Sequence, residues 1–457
     1  LGDYLGQHGA IFALPTAFFE YIFNIEDSEK YYLLRHYLNH LIFLASTFYF
    51  FLLVKTRFDN WIFGLFAAGF LFFSPRIFAE SFYNHKDLVF LSLFIISLYY
   101  GIKFYRLPNF KNAIFFSVAA ALAIDIRIMG IVIIPIVIGL TFLKNIKNKK
   151  KIFFTISIFF SFLIFFTILF WPYLWSSPLL NFIQVFNSLS SFGHQGYNFY
   201  LGEYYLASNT PWHYTLVWIA ITTPIFYLIL FFYGFINWTY KFFKVIEKHI
   251  NSDSINHLFE DESKGEDLIY YTLLITPIFI VIVLDSTLYN GWRHLFFIYP
   301  CLLIIAIHGL NLIKNKFFYK KDFYFYTLFF LFMSHIIFTM YQYHPHQNIY
   351  FNLLAGKKTE KYFELDYWGL SNKQAFEYII NNEDNKIIKI GSAGPISLEN
   401  SLQILNIKKR SRLLISKNSD ADYIIDNYIN WHNHIKERYK IPNNFKIYKE
   451  IIIDGKK

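Results

Sequence analysis

Cysteine is nearly absent from this sequence: Cys301 is the only one among 457 residues, so the chain cannot form an intrachain disulfide. Charged residues are also sparse, at 16%, whereas hydrophobic residues reach 55%. This balance excludes an ordinary soluble globular protein. The sequence also lacks a P-loop, a dinucleotide-binding glycine-rich turn and a nucleophile elbow. We therefore do not expect it to use a donor activated by a soluble nucleotide.

Long apolar runs dominate what is present. Most of them are long enough to cross about 30 Å of hydrocarbon as helices. The pattern predicts a polytopic α-helical membrane protein with about ten crossings in this chain. The predicted stretches are 38–54, 59–73, 88–102, 113–123, 128–143, 152–171, 212–234, 268–284, 294–312 and 323–341.

Positive charge is distributed unevenly over the loops that join these stretches. One alternating set of loops (55–58, 103–112, 144–151, 235–267 and 313–322) carries eighteen lysines and arginines. The other set (74–87, 124–127, 172–211 and 285–293) carries only Arg76, Lys86, Arg127 and Arg293. The positive-inside rule places the first set in the cytoplasm and the second outside it. The net charge of +10 then reflects contact with anionic membrane lipid, and nothing indicates a nucleic-acid partner.

The chain divides into three predicted regions. Residues 1–37 form an outer amphipathic segment, residues 38–341 the transmembrane body and residues 342–457 a small α/β domain outside the cytoplasm. By the alternation of loops, Leu1 already lies on the outer side, so we expect one further crossing upstream of it.

The α/β domain is predicted from local patterns. Strand-like runs lie at 386–390, 421–425 and 446–453. A helix is predicted to begin at Ser371, whose side chain would cap it together with Gln374 three residues later.

The outer loop 74–87 combines a helix start with several charges. Ser74 and Pro75 are typical of the first positions of a helix. Arg76, Glu80 and Asp87, together with Tyr83 and Asn84, then recur at helical spacing. Such a stripe suits a cavity wall that binds an anion and orients a hydroxyl group. The alternative is an interfacial helix with an internal Arg76–Glu80 ion pair.

Two further charges, Asp125 and Arg127, interrupt a long apolar region. Ionisable residues below the membrane surface normally face a cavity or a partner. The alternative is a shallow turn in which the two charges neutralise each other.

The long outer loop contains His194 and, after Pro211, Trp212, His213 and Tyr214. Side chains of these types stack on sugars and form hydrogen bonds with them. Trp and Tyr at this depth are equally typical of the aromatic belt of membrane proteins.

The last outer hairpin presents Arg293 and His294 at the start of an apolar stretch. Arginine is suited to two-pronged contacts with phosphate. Together with Arg76, Lys86 and Arg127, these residues predict a cationic pocket for a lipid-linked phosphate. The alternative is that Arg293 only anchors the chain to headgroups. His344 and His346 follow the last apolar stretch and are weak evidence for a metal.

The chain resembles glycosyltransferase family 39, a family of the GT-C class, at four places: Ser74-Pro75-Arg76 with Lys86-Asp87, Asp125-Ile126-Arg127, Pro211-Trp212-His213-Tyr214 and Gly291-Trp292-Arg293-His294. That family includes the dolichyl-phosphate-mannose protein mannosyltransferases. The resemblance covers residues 1 to about 350. It implies an integral membrane enzyme that transfers a sugar from a polyprenyl-phosphate carrier to an acceptor outside the cytoplasm, here in a bacterial inner membrane. The acceptor, whether protein, lipid or glycan, is left open.

The resemblance also implies a base, an aspartate of an outer loop, and in some members a divalent metal; no cofactor is certain. The acidic pair of the family normally follows a first crossing helix that this chain does not contain. Asp3 and His8 are the nearest candidates for catalytic residues, and the base itself is expected upstream of Leu1. Glu80, Asp87, Asp125 and His213 are assigned to line the cavity and orient substrate.

Two other functions compete with an enzyme. A transporter or flippase of lipid-linked saccharides would share the topology and the cationic pocket, but it would usually show inverted repeats with broken helices in both halves. A structural subunit of a membrane complex would give no reason for the charges at Asp125 and Arg127. The domain after residue 356 has no acid–base cluster, so we expect it to recognise the acceptor or shield the cavity rather than to hold the catalytic centre.

Overall fold

The computed structural model describes residues 9–190, 196–250, 262–428 and 439–456, and this part of the chain is mostly helical. Short 3₁₀ helices at Ile128–Val132 and Arg293–Ile298 precede the helices α7 (Ile133–Lys144) and α13 (Tyr299–Phe317). A hairpin of β1 (Tyr197–Tyr200) and β2 (Glu203–Leu206) separates α9 (Pro178–Ser190) from α10 (Tyr214–Thr222). The helices up to residue 343 are α1 (Ala13–Ile22), α2 (Ser28–Phe58), α3 (Trp61–Phe72), α4 (Pro75–Tyr83), α5 (Asp87–Arg106), α6 (Phe110–Ile126), α7 (Ile133–Lys144), α8 (Lys149–Phe170), α9 (Pro178–Ser190), α10 (Tyr214–Thr222), α11 (Ile225–Ile250), α12 (Glu262–Val283), α13 (Tyr299–Phe317) and α14 (Asp322–Tyr343).

Seven helical segments in the described part of the chain are long and apolar enough to cross a membrane. They are Ser28–Phe58, Asp87–Arg106, Ile146–Phe170, Ile225–Lys244, Glu262–Val283, Arg293–Phe317 and Asp322–Tyr343. α3 and α4 meet the same criterion only as a pair, which is bent by 66°. The chain is therefore a polytopic helical membrane protein. The predicted stretches 59–73, 113–123 and 128–143 correspond to shorter helices, so the number of ten crossings stays a prediction.

Local sequence explains where several helices begin. The side chains of Asp27 and Asn109 accept hydrogen bonds from backbone N–H groups in the first turns of α2 and α6. Pro75 is the first residue of α4, as the sequence predicted. The Ser74 hydroxyl does not cap this helix, because it bonds to the Tyr299 hydroxyl on α13 (2.7 Å).

The bundle includes one very close helix crossing, between α11 and α13. A Cβ placed on Gly309 would lie 2.0 Å from the carbonyl oxygen of Leu230, and one placed on Gly234 would lie 2.3 Å from that of Ile305. Small residues at such crossings let two backbones approach in a membrane, where packing rather than hydrophobicity drives helix association.

The two groups of loops lie at opposite ends of the bundle. Residues 74–87, 124–127 and 285–293 meet at one end, which we call the site end. The other, lysine-rich end holds the last turn of α5 and the first turn of α12. Ion pairs join its helices: Arg57 with Asp267 (2.6 Å), Lys144 with Glu262 (2.8 Å), and Arg106 with Glu266.

The N-terminal region differs in detail from its predicted outline. α1 exposes Leu14 and Phe18, as expected of an amphipathic segment. α2 already begins at Ser28, so the predicted boundary at residue 37 falls inside this helix. An ion pair between Glu20 and Arg35 (2.7 Å) ties α1 to α2.

The C-terminal region contains a three-stranded parallel sheet in the order β4–β3–β5. The predicted runs 386–390 and 421–425 correspond to β3 and β5, whereas the run 446–453 is not a strand and has only an isolated bridge at Ile453. The sequence did not predict β4. The elements are α15 (Ser371–Asn382), β3 (Ile388–Ser392), α16 (Leu398–Leu402), α17 (Ile407–Arg410), β4 (Leu413–Ile415) and β5 (Tyr423–Ile425).

α15 begins at Ser371 as predicted, but its predicted cap is wrong. The Ser371 side chain does not cap the helix; its hydroxyl donates to Asp366 (2.7 Å). The Asp366 carboxylate accepts hydrogen bonds from the backbone N–H groups of Leu370 and Ser371, both at 3.0 Å. Asp366 thereby satisfies N–H groups that have no partner inside the helix.

Hydrophobic packing divides the chain after Leu365 rather than at residue 342. The large cluster of the helical bundle includes Tyr343, Phe351, Phe363 and Leu365. A separate, smaller cluster comprises side chains of α15, α16 and the three-stranded sheet. Residues 343–365 therefore pack as part of the bundle.

Candidate active site

Hydrogen bonds connect several of the buried polar side chains that the sequence predicted on one face of residues 74–87. Asn84 follows α4, and its side-chain NH₂ donates to Glu80 (2.6 Å) and Asp87 (3.0 Å). The Asn84 side-chain oxygen accepts from the backbone N–H of Asp87 (2.9 Å). All three side chains are buried. The turn between α4 and α5 is thus fixed by the side chain of Asn84.

Asp87 brings together three parts of the sequence. Its Oδ1 pairs with Arg127, which follows α6, and its Oδ2 with Arg293 (3.2 Å), which follows α12. Arg293 is only 9% exposed, which contradicts the alternative in which it merely anchors the chain to headgroups. One carboxylate therefore orients two arginines at the site end.

Lys86 and His294 add positive charge around Asp87. Lys86 is exposed in the turn before α5. The protein around its ammonium group excludes part of the solvent, and this partial desolvation, with the neighbouring Arg127, lowers the pKa of Lys86 below its ordinary value. His294 interacts electrostatically with Asp87, and its ring packs edge-on against Tyr289 (4.6 Å between centroids).

The guanidinium group of Arg76 packs against two aromatic rings. Its Nε donates to the carbonyl oxygen of Tyr350 (3.0 Å). Its guanidinium carbon lies 4.5 Å from the ring centre of Phe351 and 5.1 Å from that of Trp218. Among the described residues, Arg76 forms no ion pair with Glu80 within 4.0 Å, so the alternative of an internal bridge is wrong. Arg76 is held by aromatic rings instead.

Several buried donors around this network have no hydrogen-bond partner in the described part of the chain. A buried N–H or O–H group without a partner costs about 1–3 kcal/mol. A ligand rich in acceptor oxygens would remove that cost. The unpaired atoms are Arg76 Nη2, Tyr83 Oη, Arg127 Nε, Asn290 Nδ2, Arg293 Nε and Trp368 Nε1.

Aromatic residues form a wall over Arg293. The guanidinium carbon lies 4.6 Å from the ring centre of Tyr289, 5.1 Å from that of Trp368 and 5.7 Å from that of Tyr367. The sequence did not predict Tyr367 and Trp368 at the site, because both lie in the region assigned to the C-terminal domain. Their only local signal was an aromatic pair just before the start of α15.

Asp125 and Arg127 do not neutralise each other. The Asp125 Oδ2 accepts from the backbone N–H of Ile11 (2.9 Å), and its backbone oxygen accepts from that of Gly9 (2.8 Å). The alternative of a self-neutralising turn is therefore wrong. Asp125 holds the N-terminal segment against α6. The candidate catalytic residues Asp3 and His8 lie outside the described residues.

His213 lies apart from the ionic network. Its Nδ1 bonds to the hydroxyl of Tyr200 on β1 (2.6 Å). The Tyr214 hydroxyl accepts from the backbone N–H of Gly291 (3.0 Å), while Trp212 is 66% exposed. His194 lies outside the described residues. His213 is thus joined to the hairpin rather than to Asp87.

A metal does not fit the described residues. Nowhere in residues 9–190, 196–250, 262–428 and 439–456 do three or more His, Cys, Asp or Glu side chains come together in a way that could hold an ion. His344 bonds to Gln347 (3.2 Å) and His346 to Gln374 (3.0 Å).

Residues 13–171 match the family model described as dolichyl-phosphate-mannose-protein mannosyltransferase. This match confirms the resemblance to glycosyltransferase family 39 over helices α1 to α8. It includes Arg76, Asp87 and Arg127 and ends well before Arg293. A search of curated proteins finds no match to the chain.

Proposed function

We propose that the chain transfers a sugar from a polyprenyl-phosphate carrier to an acceptor at the site end. The match of residues 13–171 to the model of dolichyl-phosphate-mannose-protein mannosyltransferase supports this proposal. The observation that carries this proposal is the pairing of Arg127 and Arg293 with the single carboxylate of Asp87. With Lys86 and Arg76, four cations lie around the two carboxylates of Asp87 and Glu80, so the cluster has a net positive charge.

A phosphate suits this cluster better than a carboxylate or a neutral ligand. Each guanidinium presents a planar fork of donors that matches phosphate oxygens. The Nε atoms of Arg127 and Arg293 are buried and unpaired in the described part of the chain, so phosphate oxygens would satisfy them. Asp87 fixes both side chains before the ligand arrives, which lowers the entropic cost of binding.

An apolar groove supports the proposal that the donor is linked to a lipid carrier. A cavity of about 430 Å³ is lined by side chains of α11, α13 and α14. It begins beside Pro75 and Tyr350, next to Arg76, and extends to Phe318 near the lysine-rich end. A prenyl chain placed in this groove would bring its phosphate end towards Arg76, which bonds to Tyr350 and lies on the same helix as Glu80.

The reaction we propose is a displacement at the anomeric carbon. The acceptor oxygen bonds to this carbon as the bond to the phosphate oxygen breaks, and the polyprenyl phosphate leaves with the bonding electrons. Arg127 and Arg293 stabilise the negative charge that develops on the leaving phosphate. Asp87 is held by two arginines and acts as a positioning residue.

The acceptor proton passes to a carboxylate of the N-terminal segment in this proposal. Asp3 and His8 belong to this segment, which Asp125 holds at Gly9 and Ile11. The excess of lysine and arginine at the opposite end supports a site end outside the cytoplasm of a bacterial inner membrane. The α/β unit from α15 to β5 would contact the acceptor.

The test is transfer by the purified full-length chain in lipid nanodiscs. Polyprenyl-phosphate sugars with a radiolabelled sugar are supplied with a mixture of membrane proteins, lipids and glycans. We expect label on an acceptor and release of polyprenyl phosphate, and we expect none from nucleotide sugars. Movement of intact lipid-linked sugar across proteoliposomes without any transfer would instead support a transporter.

Arg293→Ala should lower transfer about 100-fold or more in this assay. A matched control is Arg106→Ala, which also removes an arginine paired with a buried carboxylate but at the lysine-rich end. Equal loss in both variants, measured per folded protein, would contradict the proposed site.

A further inference from the structure

The segment 364–369 reaches the site from outside the family match and is fixed at both ends. Glu364 accepts a hydrogen bond from the backbone N–H of Phe199 on β1 (3.3 Å). Asp366 caps α15 and accepts from the side chain of Asn348 (3.3 Å). The segment is therefore held between the hairpin and the C-terminal unit.

Tyr367 and Trp368 follow these anchors directly and pack over Arg293. The Trp368 ring also packs edge-on against Tyr83 of α4 (5.8 Å between centroids). Tyr83 comes one residue before Asn84, the residue that fixes Glu80 and Asp87. Trp368 thus packs against the cationic cluster and the helix beside it, although it lies far from them in sequence.

The indole N–H of Trp368 is a hydrogen-bond donor that lacks an acceptor among the described residues. Its indole Nε1–H is buried without a partner among the described residues, and so is the Tyr83 hydroxyl. An indole N–H can only donate, so it needs an oxygen or another acceptor. The ring itself is only partly buried, which leaves part of the indole accessible to a ligand.

We propose that Trp368, with Tyr83, recognises the sugar of the lipid-linked donor. This inference rests on the proposed function, because it takes the donor phosphate to bind at Arg127 and Arg293. The anomeric carbon is joined directly to that phosphate, so the sugar must lie against the neighbouring wall. An aromatic face beside an N–H and an O–H group suits a ring that has C–H bonds on one face and hydroxyls at its edge.

A purely structural role makes a different prediction. If Trp368 only packed on Arg293, its loss would disturb the phosphate site and weaken binding of any polyprenyl phosphate. If it contacts the sugar, its loss weakens only the binding of a carrier that bears a sugar.

The experiment measures binding of two lipids to the full-length chain in nanodiscs. One is bare polyprenyl phosphate, and the other is the polyprenyl-phosphate hexose or pentose that the wild type binds most tightly in a panel. Trp368→Ala should weaken binding of the sugar-bearing lipid about tenfold or more and leave binding of bare polyprenyl phosphate unchanged. Trp368→Phe, which keeps a ring and loses the N–H, should fall between the wild type and Trp368→Ala. Arg293→Ala should weaken binding of both lipids.

Trp61→Ala is the matched control, because Trp61 is 58% exposed and begins α3 at the lysine-rich end; it should bind both lipids like the wild type. If Trp368→Ala changes the affinity for both lipids equally, or changes neither, Trp368 does not recognise the sugar. The proposed function would still stand in that case, provided that Arg293→Ala weakens binding of both lipids. A wild type that binds neither lipid would overturn both proposals.

Discussion

Arg127 pairs with Asp87 across two helices and not with Asp125, its neighbour two positions earlier in the chain. The backbone explains this choice. Asp125 lies in the last turn of α6, whereas Arg127 follows the helix in an extended conformation (φ −147°, ψ 127°). The change of conformation turns the two side chains to different partners. Asp125 binds the backbone of the N-terminal segment, and Arg127 joins the cationic cluster.

The first prediction concerns the two arginines that Asp87 holds. Arg127→Ala or Arg293→Ala should lower transfer about 100-fold or more, because each removes a preorganised donor to the leaving phosphate. The corresponding lysine variants should recover only part of the activity, since an ammonium group cannot form the two-pronged contact. The measurement is kcat/KM with a polyprenyl-phosphate sugar. Wild-type values in both alanine variants would exclude a phosphate site here.

A double-mutant cycle separates positioning from charge. Asp87→Asn should also lower transfer, because both arginines lose their common anchor. Since Asp87 acts through Arg127, the double variant Asp87→Asn/Arg127→Ala should be much less impaired than the two single effects combined. Independent effects would mean that Asp87 acts on the substrate directly.

Sequence patterns located most of the helices and the charged residues of the site because both depend on local features. Apolar runs give the helices, and Ser74-Pro75 gives the start of α4. The contact between Trp368 and Arg293 could not be predicted in this way, because it joins distant segments by a turn that Asp366 fixes. β4 was missed because its three residues, Leu413–Ile415, are too few to show an alternating pattern.

Gly9 is the subject of the second prediction. A Cβ at this position would lie 1.8 Å from Oδ1 of Asp125, so in Gly9→Ala either the Asp125 side chain or the N-terminal segment must shift, and the contact that holds this segment on α6 is disturbed. We expect this variant to lose transfer while keeping its affinity for polyprenyl phosphate, because the phosphate site does not depend on this segment. The measurements are donor binding and transfer, made separately.

The matched control is Gly139→Ala in α7, where a Cβ would meet no atom within 4 Å. It should transfer like the wild type. Unchanged transfer by Gly9→Ala would show that the contact with Asp125 does not position the catalytic segment.

The third prediction concerns topology. Cys301 is buried, so single introduced cysteines can be labelled against a low background. Ser419→Cys, at an exposed position of the C-terminal unit, should react with a membrane-impermeant maleimide added to intact cells. Asn148→Cys, exposed at the lysine-rich end, should react only after the membrane is opened. The reverse pattern would place the site end in the cytoplasm and contradict the orientation.

The last prediction concerns Glu364, which anchors the segment that carries Trp368. Burial raises the pKa of Glu364 from 4.5 to about 7. The folded protein therefore binds the proton more tightly than the unfolded chain does, and the free energy of unfolding should fall as the pH rises from about 4.5 through 7. Glu364→Gln removes this titration. At pH 8 the variant should be more stable than the wild type by up to about 3 kcal/mol, whereas at pH 4.5 the two should be alike.

The measurement is the thermal unfolding midpoint of the detergent-purified protein at pH 4.5, 6 and 8. Glu399→Gln, at an exposed position, is the matched control and should show no such trend. If Glu364→Gln raises the unfolding midpoint by the same amount at every pH, the stabilisation comes from packing rather than from removal of the charge. If Trp368 recognises the sugar, the same variant should also keep its preference for the sugar-bearing lipid at pH 8, because a glutamine oxygen can still accept the hydrogen bond from Phe199.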